Sequence, residues 1–329
     1  MNNKKLTVNH RKNSIPYTDL SDMSDFNHLP PIEVYLKNLE DLNQIERLED
    51  NLEKIKAQYF KCAGVMPYIL DQAPGASFNN NKMYRVRTGI QPLENIESRI
   101  PFWTPRKEYV KNYNGRANLK GEPVLYCSDN VGTCILESRI NIGDIGYLCE
   151  YDINCQNNYI FYNSIVPFDL NSNDLMSHWS KGKKELIQKY FPDDLLPYSD
   201  HLNALYNYLV KVFAECEYPY VLSSWISHKI FNFKKANCAF IIYPSAAAGL
   251  KRMNIVFKPS FANKYLSISS ITKFQVILEN EKIILKVLDK GFENQSRRII
   301  WQNYADDEDQ RILNSQVIDV NFSATPLNL

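Results

Sequence analysis

The chain has 329 residues, 44% of them hydrophobic and 23% charged, with a formal net charge of +1. That length allows one large domain with extensions, and the composition can bury a sizeable core. The near-zero charge argues against a general nucleic-acid or anionic-membrane binder, for which a basic excess is usual.

Residues 1–31 are polar, begin MNNKKLTVNHRKN and end in Pro30–Pro31, which predicts a flexible or loosely docked arm. No apolar stretch follows the basic start, so no secretory signal is expected. No apolar run of roughly 18 residues occurs, so no membrane span is expected, and the protein is expected in the cytoplasm. Over residues 32–61, Leu36, Leu39, Leu42, Ile45, Leu48, Leu52 and Ile55 recur at three- and four-residue steps between charges. That spacing predicts an amphipathic helix with one break, packed on the main domain or on a partner helix. Pro74–Gly75 and Asn79–Asn80–Asn81 predict a loop.

A short strand is predicted at Met83–Arg87, followed by a linker punctuated by Pro92, Pro101 and Pro105. A β-rich run follows at Pro123–Tyr126, then a helix over Gly132–Arg139. Tyr147–Ile153 and Tyr159–Val166, rich in β-branched and aromatic residues, read as strands. Helices are predicted over 183–190, 201–216 and 221–231. Cys238–Tyr243 is a continuous apolar run of strand length, hence a buried strand, and Asn254–Phe257 is a further short one. Phe274–Leu278 and Lys282–Leu288 flank Glu279–Asn280–Glu281 and read as a hairpin; the residues after them are polar and expected to fray. Strands and helices mix without strict alternation, so the predicted class is α+β. The expected organisation is an extension at 1–75, a catalytic domain at 76–270, and a C-terminal hairpin and tail at 271–329.

The seven cysteines are scattered with no CxxC pair, and the five histidines form no HExxH pattern. The thiols are therefore expected to be reduced, and no metal is expected.

The segment Asn114–Glu137, NGRANLKGEPVLYCSDNVGTCILE, carries the densest chemistry. Gly115 and Gly121 bracket a turn that presents Arg116 and Asn118. The next strand carries Tyr126, a helix follows, and Glu137 lies eleven residues after Tyr126, so Arg116, Tyr126 and Glu137 could converge at one end of a strand–helix unit. An arginine beside flexible glycines suits a phosphate or pyrophosphate, because its planar fork donates two parallel hydrogen bonds. A tyrosine offers a stacking face and a hydroxyl. A glutamate can hold a ribose hydroxyl or oppose a developing oxocarbenium charge. Further on, Tyr243–Pro244–Ser245 ends the buried strand, and no His/Asp pair at a known spacing marks Ser245 as a nucleophile.

These residues resemble the RES family, named for an arginine, a glutamate and a serine. Its first motif runs Gly-Arg-x-Asn, then Gly-x-Pro-x-x-Tyr, then a helix ending Leu-Glu. Here these are Gly115–Asn118, Gly121–Tyr126 and Leu136–Glu137. The family often has Trp or Phe after the arginine, whereas Ala117 resembles its Arg-Ala-Asn subgroup. The second motif, an apolar strand, a serine turn, then an asparagine before a short apolar strand, is matched by Ser245 and Asn254. Arg85, in Tyr84–Arg85–Val86–Arg87, is similar to an arginine at the start of the family domain, with Arg87 as the alternative. The resemblance covers about residues 83–265.

The resemblance implies an ADP-ribosyltransferase-like mixed sheet with flanking helices, preceded here by the N-terminal helical extension. It implies NAD⁺ as substrate and cleavage of the nicotinamide–ribose bond. Arg116, Tyr126, Glu137 and Ser245 are the expected catalytic residues, and Arg85, Asn118 and Asn254 the expected NAD⁺-binding ones. Arg85 and Arg116 would clamp the pyrophosphate, Tyr126 would pack on the nicotinamide or its ribose, and Glu137 would hold ribose hydroxyls. Ser245 and Asn254 would orient the nicotinamide end. Phosphate or water as acceptor would make the protein a growth-arresting toxin; a protein acceptor or a non-catalytic binding module are the competing expectations. A helix-turn-helix antitoxin is the implied partner and a homodimer is a second; no direct nucleic-acid or membrane partner is expected.

Overall fold

Asn51 decides where the N-terminal leucine stripe breaks. Its side chain accepts hydrogen bonds from the Glu53 and Lys54 backbone N–H groups, capping α2 (Leu52–Cys62) after α1 (Ile32–Leu48). Tyr35, Leu39 and Leu42 on α1 and Ile55, Tyr59 and Cys62 on α2 are buried at helical spacing. Leu36, expected in the stripe, is exposed instead, and the adjacent Tyr35 takes the inward position, donating its hydroxyl to the Ala63 carbonyl at 3.0 Å.

The computed structural model describes residues 29–48, 51–65, 67, 70–79, 81–90, 94–156, 159–167, 175–190, 198–214, 219–234, 237–279 and 282–302. Most of the expected arm, the tail after residue 302 and Cys216 lie outside them. Among the described residues the chain is α+β, with seven α-helices and one ten-stranded mixed sheet.

The strands are β1 (Asp71–Ala73), β2 (Lys82–Thr88), β3 (Leu125–Ser128), β4 (Ile145–Ile153), β5 (Ile160–Ser164), β6 (Cys238–Pro244), β7 (Met253–Phe257), β8 (Leu266–Glu279), β9 (Lys282–Glu293) and β10 (Ile299–Trp301). They lie in the order β1-β5-β6-β7-β3-β2-β4-β8-β9-β10. Among the described residues only β5 and β6 pair in parallel, and parallel neighbours need a long crossover. Here it is helical: α4 (Leu175–Tyr190), α5 (Ser199–Ala214) and α6 (Val221–Phe231). The short α3 (Val131–Glu137) follows β3, and α7 (Pro259–Tyr265) follows β7.

Strand alternation sends side chains to two cores. Tyr243 and Val256 point to the core shared with α1, α2, α5 and α6, while Phe240, Ile242, Ile255 and Phe257 point to the opposite core with Phe102, Trp103 and Phe261. The helix-side core crosses the expected boundary at residue 75, and the opposite core crosses the one at residue 270 through Ile271 and Ile299. The N-terminal helices share one core with α5 and α6, and β8 pairs with β4 along Ile145–Ile153. The expected hairpin is present but longer, because β8 and β9 extend it into the central sheet. No described helix is long and apolar enough to cross a membrane.

One buried ion pair ties β1, β5 and α4 together. Lys183, fully buried, donates to Asp71 at 2.9 Å, and Ser164 donates to the same carboxylate oxygen through its hydroxyl at 2.5 Å and its backbone N–H at 2.9 Å. Burial lowers the Lys183 pKa, and Asp71 opposes that shift. Asp71→Ala should destabilise the fold by about 3–5 kcal/mol in urea unfolding, since it strands a buried cation. Lys56→Ala, at an exposed i,i+3 pair with Glu53, should cost no more than about 0.5 kcal/mol; equal losses would contradict this assignment.

Candidate active site

The Gly115–Asn118 turn is closed by backbone bonds in both directions, Gly115 N–H to Asn118 C=O at 2.9 Å and Asn118 N–H to Gly115 C=O at 3.4 Å. Only glycine fits at its first position. A Cβ on Gly115 would stand 2.3 Å from Asn118 Oδ1 and 2.7 Å from the Tyr126 hydroxyl. That hydroxyl lashes the turn to β3, accepting from Ala117 N–H and donating to Asn118 Oδ1, each at 2.8 Å. Burial raises the Tyr126 pKa, so the hydroxyl keeps its proton for this donation. Ala117 is buried in the helix-side core and contributes nothing to the cleft wall.

Arg116 leaves the turn toward the helical layer. Its Nη1 donates to the Phe213 carbonyl in the last turn of α5 at 2.9 Å, and its guanidinium lies over the Tyr220 ring, 4.8 Å from the centroid. Tyr220 precedes α6 with φ +55°, a conformation uncommon for a non-glycine residue.

Glu137 is the last residue of α3, a helix that Asn130 caps through the Thr133 N–H at 2.8 Å. A carboxylate at a helix C-terminus opposes the helix dipole, so its position calls for other partners. Two donors supply them on one oxygen: Ser245 Oγ at 2.5 Å and Asn254 Nδ2 at 2.7 Å, both to Glu137 Oε1. Asn254 Oδ1 in turn accepts from Ser128 Oγ at 3.0 Å. Sheet register sets this relay, because Ser128 pairs with Asn254 across β3–β7 and Tyr243 pairs with Asn254 across β6–β7. Opposed residues share a face.

The cleft lies where the sheet splits. β2 and β3 meet through a single pair, Tyr84↔Ser128, whereas β2 pairs with β4 along its whole length. Beside that pair, Val86 and Tyr126 border a hollow of about 300 Å³ that is also lined by Arg85, Arg116, Glu137 and Asn254. A second hollow of about 220 Å³ shares Arg85, Gly115 and Tyr126 with the first. Arg85 Nη1 donates to the Trp103 carbonyl at 2.7 Å.

The structure therefore gathers Arg85, Arg116, Tyr126, Glu137 and Asn254 at one hollow. Asn118 lines the second hollow, and so does Arg87, which faces Glu94 at 3.7 Å. Ser245 is fully buried with its hydroxyl on Glu137, so it stands behind the carboxylate. Sequence reasoning missed Ser128, Tyr220 and Tyr243. Ser128 follows Tyr126 by one strand period and Tyr243 precedes the serine turn, signals that period two could have supplied. Cys127 and Cys134 line the cleft, but burial raises both thiol pKa values, which disfavours the nucleophilic thiolate.

Tyr126→Phe removes an acceptor from Ala117 N–H and a donor from Asn118. It should cost roughly 1–3 kcal/mol of stability in denaturant unfolding; an unchanged midpoint would contradict the lashing role. Among the described residues, no group of three or more His, Cys, Asp or Glu side chains is placed to hold a metal ion. No protein-family model matches the chain, and no curated protein matches it.

Proposed function

We propose that the chain is an NAD⁺-consuming enzyme that breaks the nicotinamide–ribose bond, with phosphate or water as acceptor, on an ADP-ribosyltransferase-like fold. The observation that carries this reading is the clamp on Glu137. Ser245 and Asn254 both hold Oε1, and the described residues give Oε2 no hydrogen-bond partner, in a cleft flanked by Arg85 and Arg116. The resemblance of the Gly115–Glu137 and Ser245–Asn254 segments to the RES family supports the same reading.

In this reaction the C1′–N bond breaks, and its electron pair leaves with the nicotinamide nitrogen, which becomes neutral. An oxygen of water or phosphate forms the new bond to C1′ and releases its proton to solvent. The transition state has oxocarbenium character. A carboxylate already fixed by two donors opposes that charge without reorganising. Glu137 Oε2 would hold the ribose hydroxyls beside the reacting carbon. Arg85 and Arg116 would neutralise the pyrophosphate, each keeping part of its guanidinium on a backbone carbonyl as an anchor. Ser245 would act through Glu137 rather than on the substrate.

Turnover of this kind in the cytoplasm would arrest growth by depleting NAD⁺. The matching partner is a helix-turn-helix antitoxin whose C-terminal end fills the cleft.

Incubation of the purified chain with NAD⁺, with and without phosphate, tests this reading. Free nicotinamide is expected, with ADP-ribose where water accepts and ADP-ribose 1″-phosphate where phosphate does. Glu137→Gln should slow nicotinamide release by about 10²–10³-fold. NAD⁺ left intact in every condition, or a Glu137→Gln variant as fast as the parent, would overturn it.

A further inference from the structure

Tyr220 breaks two local rules at once. A helix N-cap is ordinarily extended and offers a short polar side chain to the first turn. Tyr220 instead precedes α6 in the left-handed region, at φ +55° and ψ +33°, and its side chain makes no cap hydrogen bond. A bulky aromatic rarely adopts that conformation. Arg139, also left-handed at φ +47°, is a different case, because it follows α3, where a left-handed residue is a common helix end. No helix-end rule accounts for Tyr220. What its conformation secures is tertiary, a ring set under the Arg116 guanidinium at 4.8 Å from the centroid. Arg116 Nη1 also donates to the Phe213 carbonyl at 2.9 Å. One hydrogen bond leaves a planar guanidinium able to turn about it, and a ring face against the plane removes that freedom. Arg116 lines the first hollow, whereas Tyr220 does not.

We propose that Tyr220 is a positioning residue, held in a strained backbone conformation so that its ring orients the Arg116 fork toward the cleft. The strain is stored at the junction between the helical layer and the site, and the packing of α6 maintains it. Trp225, Ile226 and Ile230 of that helix are buried in the helix-side core, and the Tyr220 carbonyl accepts the Ser224 N–H at 3.1 Å. The inference rests on the reading that Arg116 meets a pyrophosphate. It adds that the orientation of this arginine is set from outside the cleft, by a residue that never touches the ligand. An arginine already oriented loses less freedom on binding, so the ring acts on ligand affinity through Arg116.

The test compares Tyr220→Phe, Tyr220→Ala and Tyr220→Gly in the full chain, by melting temperature, by the KM and kcat for NAD⁺, and by calorimetric titration with inorganic pyrophosphate. Glycine adopts positive φ without strain and alanine does not, so Tyr220→Gly is expected to melt above Tyr220→Ala. Ligand affinity should ignore that difference and follow the ring. Tyr220→Ala and Tyr220→Gly should each raise the KM about fivefold and weaken pyrophosphate binding by a similar factor, with kcat within about twofold of the parent. Tyr220→Phe, which keeps the ring, should restore both. In an Arg116→Ala background Tyr220→Gly should change the KM by less than about twofold. Affinity that rises and falls with melting temperature, so that Tyr220→Gly outperforms Tyr220→Ala, would show a merely structural role and overturn the inference, as would a KM and a pyrophosphate affinity indifferent to the ring. The two readings fail separately. NAD⁺ cleaved with the same KM in every variant removes the positioning role and leaves the reaction. Pyrophosphate bound in a ring-dependent way by a chain that leaves NAD⁺ intact removes the reaction and leaves the positioning role. A chain that neither cleaves NAD⁺ nor binds pyrophosphate removes both.

Discussion

Glu137 Oε1 receives one hydrogen bond from the end of β6 and another from β7, through Ser245 and Asn254. The rest of the site is arranged around that oxygen. Both donors are buried, so removing the carboxylate would leave two polar groups desolvated and unpaired. The position is also a poor one for a carboxylate on local grounds, since the C-terminus of α3 repels negative charge. A residue that local physics disfavours, yet that two strands are built to hold, fits a site kept for chemistry rather than for stability.

The sheet makes this clamp possible and then opens beside it. β7 lies between β6 and β3 and is buried along its length, which fixes Asn254 against both Tyr243 and Ser128. One strand further on, β2 meets β3 through one pair only, and the cleft occupies the gap. The helical layer supplies the other wall. Arg116 is held by a carbonyl at the end of α5 and by the Tyr220 ring at the start of α6. These helices share their core with α1 and α2, where Tyr59 meets Trp225 edge-on at 5.4 Å between ring centroids. The N-terminal helices thus buttress the layer that orients Arg116.

Much of this was legible wherever the signal was local. The β6 apolar run and α6 are set by residues close in sequence, and the structure places both close to the expected bounds. The convergence of Tyr126 and Glu137 on one hollow also followed from a strand and helix adjacent in the chain. What was not legible depended on register. Ser245 sits behind Glu137, and not on the open side of the cleft, because of a pairing between strands that the chain separates by more than a hundred residues. The anchor of Arg116 on Phe213 is equally remote in sequence. Strands β1 and β10 are three residues each, too short to show a period. α7 carries a local sign of its own, Pro259 at its first turn.

The central claim is that Ser245 acts through the Glu137 carboxylate. A double-mutant cycle on nicotinamide release from NAD⁺ tests it most directly, comparing the parent, Ser245→Ala, Glu137→Gln and the double variant. Ser245→Ala is predicted to slow the parent by about tenfold, the worth of one hydrogen bond to a charged group, and to change the Glu137→Gln background by less than about twofold. Equal losses in both backgrounds, or no nicotinamide from the parent at all, would contradict it.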